Sequence, residues 1–280
     1  MALLSDFKKV GLYRRTFVNW MEIVKQLSRF KNISDTSNFN FNLKFRDGGD
    51  VSITHQRSIS AAAGYFAASN HLGCYSMDDM KQLITLSDNL SKQIDLDLDS
   101  DSFKLNFSQK EGILFALIRN FLPKNVVETG VAYGISSSAI LLAMKLNICG
   151  HLTSIDLPNH SISGYKYENG TIDPVYLPEE KQSGWLVPSD LRSSWTLKIG
   201  KSSNILPKLD NEVDLFFHDS EHSYANMTFE FNWAKNHLTT SGIIGSDDIH
   251  WNSAFAEFVH NNGFSLLFPK HISDSYVHKN

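Results

Sequence analysis

From Ser108 to the carboxyl end, short apolar runs alternate with helix-patterned stretches, and few folds accept that order. Ser108-Gln-Lys-Glu111 is a capping box that opens a helix running to about Leu122, and Pro123 follows it. Asn125-Val-Val-Glu128 reads as a short buried strand, Thr129 to Gly134 as a glycine turn, and Ser136 to Leu146 as a helix. His151 to Asp156, Trp195 to Ile199 and Val213 to His218 read as three further strands. A helix over 224–237 precedes a fifth strand, Gly242 to Ser246. Strands separated by helices build a parallel sheet covered on both faces, so the fold class is α/β. Ligands of such sheets sit at the carboxyl ends of the strands. The chemistry should therefore gather just after Val127, Ile155, Ile199, Phe217 and Ser246.

The amino-terminal part follows other periods. Tyr13, Phe17, Trp20, Val24 and Leu27 recur at helical spacing, which predicts an amphipathic helix over 12–30 suited to core packing or a subunit contact. Phe39 to Phe45 alternates, Asp47-Gly48-Gly49 turns and Val51 to Thr54 returns, so a hairpin is expected. Residues 77–93 read as helix, and the stretches 34–40 and 95–102 as linkers. The chain of 280 residues thus divides into an extension over 1–104, a lid or oligomer contact, and a larger domain over 105–280. The net charge of −4 argues against a dedicated nucleic-acid binder. No apolar run is long enough to span a membrane. Cys74 and Cys149 lack metal-site spacing and fit a reducing cytoplasm, the expected location.

The residues at the five strand ends carry chemistry. Gly130 and Gly134 let the backbone approach a ligand, and a helix amino end suited to an anionic group follows. The spacing is not that of the dinucleotide fingerprint. Asp156 lies 28 residues beyond Glu128, one β-α-β unit, where a carboxylate can accept from both ribose hydroxyls of a nucleoside. Asp219 follows the fourth strand and Asp247-Asp248 the fifth. Neighbouring strands about 4.8 Å apart would bring these carboxylates together, and crowded carboxylates need neutralising. An oxygen-only set selects a hard cation, Mg²⁺ or a similar divalent ion, whereas a helix-capping Asp after each strand is the plainer alternative. His222, three residues beyond Asp219, stands where a base would face a metal-held substrate, with His218, His250 and Tyr224 as rivals.

Taken in order, Glu128–Ser136, Ser154-Ile-Asp156, Gly200-Lys-Ser202, Asp214–Tyr224 and Gly242–Asp248 resemble the motifs of class I S-adenosylmethionine-dependent methyltransferases. The nearest branch is that of the metal-dependent O-methyltransferases, which includes catechol and macrolide-sugar enzymes. The resemblance implies a Rossmann-like, mostly parallel sheet of seven strands in the order 3-2-1-4-5-7-6. Phe264–Phe268 and Ser275–His278 would supply the last two strands. It implies S-adenosylmethionine as cofactor, with Glu128, Gly130 and Gly134 on its methionine and ribose side. Ser136 would meet its carboxylate, Asp156 its ribose, and Lys201 with Ser202 its adenine. Asp219 would line the cofactor site as well as join Asp247 and Asp248 on Mg²⁺, and His222 would be the catalytic base. Many relatives have Asp where Lys201 stands, which changes the adenine contact.

The reaction so implied is metal-assisted O-methylation of a small-molecule hydroxyl. A hydroxylase-like enzyme or a cofactor-binding module on the same fold are the alternatives. A possible homo-oligomer would form through the amino-terminal extension. The long segment 157–194, with Tyr165, Tyr167, Tyr176, Trp185 and four prolines, is a lid, a substrate wall or a packed surface loop.

Overall fold

The computed structural model describes residues 41–44, 50–55, 58–97, 109–157, 177, 180–249, 251–267 and 275–278. Strands β1 (Phe41–Lys44) and β2 (Asp50–Ile53) pair antiparallel, as the alternation predicts. The Asp47-Gly48-Gly49 turn, the helix expected over 12–30 and the opening Ser108 lie outside the described residues. Helix α1 (Ser58–Leu72) was not foreseen. It is apolar nearly all round, with Ala61, Ala62, Ala63 and Phe66 buried, so it offers no stripe to read. Helix α2 (Met77–Asp97) outruns its expected end and absorbs the first three residues of the stretch read as a linker. Helix α3 (Gln109–Phe121) follows.

Helices α1 and α3 cross closely. A Cβ on Gly64 would stand 2.0 Å from the Gln109 carbonyl oxygen, and one on Gly112 would stand 2.0 Å from that of Ala61. Only glycine permits this approach, and it seats the first turn of α3. Asp88 of α2 ties the hairpin end to α1, accepting from the Thr54 N–H at 2.8 Å and the Ser58 hydroxyl at 2.5 Å.

The rest alternates as expected: β3 (Asn125–Thr129), α4 (Ile135–Asn147), β4 (His151–Asp156), β5 (Trp195–Ile199), the one-turn α5 (Ser202–Ile205), β6 (Val213–His218), α6 (Tyr224–His237) and β7 (Leu238–Ser246). Helix α7 (Ala254–Asn262), β8 (Ser265–Leu266) and β9 (Ser275–His278) complete it. The sheet order is β5-β4-β3-β6-β7-β9-β8, with β5, β4, β3, β6 and β7 parallel and β9 antiparallel to both its neighbours. The α/β class with a mostly parallel, helix-covered sheet is thus present.

Period-two alternation divides the core. Val126, Leu215, Phe217 and Ile243 point to the face where α1, α3 and α4 pack. Val127, Phe216 and Ile244 point to the other, under α6 and α7. Both faces being dry, every polar group on the strands must be satisfied internally or lie at a strand end.

Candidate active site

Backbone hydrogen bonds lace the five carboxyl strand ends into one edge. The Gly200 N–H donates to the Asp156 carbonyl at 2.8 Å, and the Gly130 N–H to that of Ile155 at 2.9 Å. The Asp219 N–H donates to Thr129 at 2.8 Å, and the Asp247 N–H to His218 at 2.9 Å. The five points expected to carry chemistry are therefore contiguous.

The glycine turn has a different reason for its glycines than ligand approach. Gly130 (φ 83°) and Gly134 (φ 88°) are both left-handed, a region costly for other residues. A Cβ on Gly130 would fall 1.8 Å from the Asp219 carbonyl oxygen, and one on Gly134 would meet Val187 and Gly184. The protein itself fills the space, so the fold of the turn demands these residues. Its outer side is covered by the end of the 157–194 segment, where the Gly184 and Leu186 N–H groups donate to Ala132 and Tyr133 at 2.8 and 3.1 Å. Leu90 and Ile94 of α2 pack with Tyr133 and Leu186 in the same cluster, and Trp185 lies against it. Tyr165, Tyr167, Tyr176 and His250 lie outside the described residues.

Glu128 is fully buried and turned inward. It accepts the hydroxyls of Ser136 (2.6 Å), Ser137 (2.5 Å) and Ser154 (2.8 Å), and Trp195 Nε1 in turn donates to Ser154 (2.9 Å). Burial pushes the Glu128 carboxyl above its ordinary range, and the three hydroxyls pull it back. Glu128 braces the turn and the first turn of α4, and the Ser136 hydroxyl donates to it. Asp156 sits beside the turn, accepting from the N–H groups of Ala132 and Leu157 at 2.9 Å each. A carboxylate has about four acceptor positions, so this arrangement is compatible with ribose hydroxyls as further donors. Lys201 is exposed at the start of α5, and Ser202 donates to Asn226 Oδ1 at 3.3 Å.

The acidic half contains a residue that was not foreseen. Lys110, in the first turn of α3, places its ammonium 2.6 Å from Asp219 Oδ2 and 2.5 Å from Asp247 Oδ2. Burial works against the Lys110 charge, but the two carboxylates more than reverse it and hold the ammonium well above its usual range. Burial also lifts Asp219, opposed by Lys110 and reinforced by Asp247. Asp248 has a left-handed backbone (φ 47°), and its N–H donates to Asp247 Oδ1 at 2.9 Å. Among the described residues no three His, Cys, Asp or Glu side chains converge as a metal cluster, and the expected set of Asp219, Asp247 and Asp248 has Lys110 on two of its members. The cation that Asp219 and Asp247 hold is an amino-acid side chain. Sequence offered one clue, since a lysine in a helix's first turn opposes the helix dipole.

Behind these carboxylates lies a second unforeseen group. Glu230 of α6, fully buried, accepts from Thr129 (2.6 Å), Ser220 (2.9 Å) and Asn226 (3.0 Å), and lies 2.7 Å from His218 Nδ1. Burial opposes its charge, but His218 and the hydroxyls win and hold it below its usual range. His222 is buried with its ring edge-on to His218, centroids 5.1 Å apart, and beside Trp251. Burial, and then the neighbouring His218, lower its pKa to about 3. The imidazole is neutral in the physiological range. The rival Tyr224 is exposed and donates to Glu257 at 2.6 Å. A cavity of about 360 Å³ opens at the opposite edge of the sheet beside Lys124, Asp214 and Thr239. Asp214 caps the Lys124 and Asn125 N–H groups there, a structural use.

Comparison with known proteins bears on this edge. A family described as "Methyltransferase domain" matches residues 127–249, from β3 to just past Asp248. No curated protein matches the chain. Solved structures that overlay include a methyltransferase from Podospora anserina, PaMTH1, bound to SAH (14% identity, 69% of this chain and 86% of that one, TM-score 0.46). Another is the O-methyltransferase TomG from Streptomyces achromogenes in complex with SAM (16% identity, 70% and 89%, TM-score 0.46). A third is an O-methyltransferase from Bacillus cereus with SAH (14% identity, 70% and 90%, TM-score 0.45). The laced strand ends, with Glu128, Asp156, Asp219 and Asp247, fall within the matched segment, and Lys110 lies before it.

Proposed function

We propose that the chain transfers a methyl group from S-adenosylmethionine to a hydroxyl of a small molecule, at the carboxyl edge of the sheet. The observation that carries this reading is the contiguity of the glycine turn, Asp156, Asp219 and Asp247 within the segment that matches a methyltransferase-domain family, with Lys110 reaching them from α3. Residues 105–280 form the catalytic domain in this reading, and 1–104 an extension whose α2 helps cover the turn. The cofactor residues fit the donor chemistry required: Asp156 for the ribose, the amino end of α4 for the carboxylate, Lys201 and Ser202 beside the adenine.

S-adenosylmethionine supplies a methyl group on a sulfonium centre when bound. The chain's own part is to align the acceptor, exclude water and receive a proton. Transfer to an oxygen removes opposite charges, so a dry site favours it. Tyr133, Leu186, Leu90 and Ile94 supply that dryness around the turn. His222, three residues beyond Asp219, is the proposed proton acceptor, a role that needs its pKa raised from about 3 when an acceptor and cofactor are bound. The metal-assisted form of the reaction, with Mg²⁺ on Asp219, Asp247 and Asp248, would require Lys110 to leave and is not part of this proposal.

Isothermal titration with S-adenosylmethionine tests the reading. Asp156→Ala should lower affinity at least about tenfold, the worth of one or two hydrogen bonds to a charged group. Unchanged affinity in a folded variant would reassign the ribose contact, and no binding by the wild type would end the proposal.

A further inference from the structure

Two carboxylates from adjacent strand ends and one lysine from a helix more than a hundred residues earlier meet at hydrogen-bond distance. The lysine is not a surface chain that has fallen inward. Its backbone is fixed by the first turn of α3, and that turn is seated by the close contact of Gly64 with Gln109. The side chains of Lys110, Asp219 and Asp247 are only 17%, 19% and 16% exposed. Other titratable groups interact with the same ammonium: Glu111 from its own helix, Glu128 from β3 and His222.

We propose that Lys110 is the resident cation of this site, filling the place between Asp219 and Asp247 that a divalent ion would need, so that the site excludes divalent metals. This inference rests on the methyltransferase reading for what the site does, but not for what it binds. A carboxylate oxygen engaged with an ammonium at 2.5–2.6 Å cannot also approach a metal without that ammonium moving. A divalent ion entering beside Lys110 would set three positive charges against the two carboxylates. Lys110 thus holds the two carboxylates in register at the edge of the site, a positioning task that elsewhere needs a metal. Removing its charge should unmask a cation site made of the same oxygens.

Manganese is the probe, because it binds oxygen ligands and is seen both by calorimetry and by the broadening of nearby amide signals. The full-length wild type should show no saturable binding of Mn²⁺, and no broadening centred on residues 110, 219 and 247. Lys110→Gln and, as a second form closer in shape, Lys110→Met should each bind one Mn²⁺ per chain, at least about tenfold more tightly than the wild type, since two crowded carboxylates then lack a counter-charge. Asp247→Asn in the Lys110→Gln background should abolish that gain. A variant that folds only when Mn²⁺ is supplied supports the same conclusion. Stoichiometric Mn²⁺ on the wild type, lost in Asp219→Asn, would overturn it, and so would folded lysine variants that bind none. Because the wild-type measurement decides alone, loss of fold in the variants does not shield the proposal. S-adenosylmethionine affinity, measured on the same samples, reports separately on the function, so either reading can fail without the other.

Discussion

Two halves of one sheet edge handle buried carboxylates in opposite ways. On the β3–β4 side, Glu128 is surrounded by three serine hydroxyls, and among the described residues no counter-ion lies within hydrogen-bond reach, Lys110 acting only from farther off. On the β6–β7 side, Asp219 and Asp247 share the ammonium of Lys110. Neutral donors satisfy lone pairs and leave the charge uncompensated; an ammonium compensates the charge and makes each member depend on the others. The first arrangement suits a brace beneath a turn that must not move. The second suits a place where charge is to be presented to a reacting molecule.

The comparison can be broken by removing one partner from each half. Lys110→Ala should have the largest effect on stability, roughly 3–5 kcal/mol, because breaking a buried ion pair leaves an uncompensated charge. Chemical denaturation checks this, and a loss below about 1 kcal/mol would mean that the carboxylates are hydrated and the pairing incidental. Glu128→Gln should cost less, about 1–3 kcal/mol, since the amide retains one acceptor oxygen while its NH₂ faces hydroxyls that must reorient. If the two losses were equal, hydroxyl and ammonium satisfaction would not differ in the way argued.

The smallest expected effect is a pH slope. His222 has a folded pKa of about 3 against an ordinary value near 6.5. Between those values the unfolded chain binds a proton that the folded one does not, so stability is full above about pH 6.5 and falls as pH drops towards 3. The slope is at most about 1.4 kcal/mol per pH unit for one group. His222→Gln should flatten this acid limb, removing about 2 kcal/mol from the difference in denaturation free energy between pH 7 and 5. A variant with the wild-type slope would show that His222 is not held neutral by its surroundings.

Much of the frame was legible. The runs at Val126–Val127, Leu152–Ile155 and Leu215–Phe217 have no helical stripe and are too short for helices, which leaves buried parallel strands. The positions following them were therefore identifiable before any contact was known. Helix α1 escaped because a segment buried on all sides has no polar face, so its period is invisible. Glu230 escaped for a related reason. A polar residue buried among strands and helices looks like any other until its partners are known.

Sequence by itself determined the order of strands and helices, and with it which edge collects the functional groups. It did so because hydrophobic periodicity is local and parallel pairing follows from the helical crossovers. Only the tertiary structure decided what sits between Asp219 and Asp247. Lys110 lies 109 and 137 residues from its partners along the chain. The sequence shows two acids that need a cation, and a metal answers that need as well as a lysine does. The choice was made by the packing of α1 on α3, which sets an ammonium where an ion would otherwise stand, and no local pattern records a distance across the core.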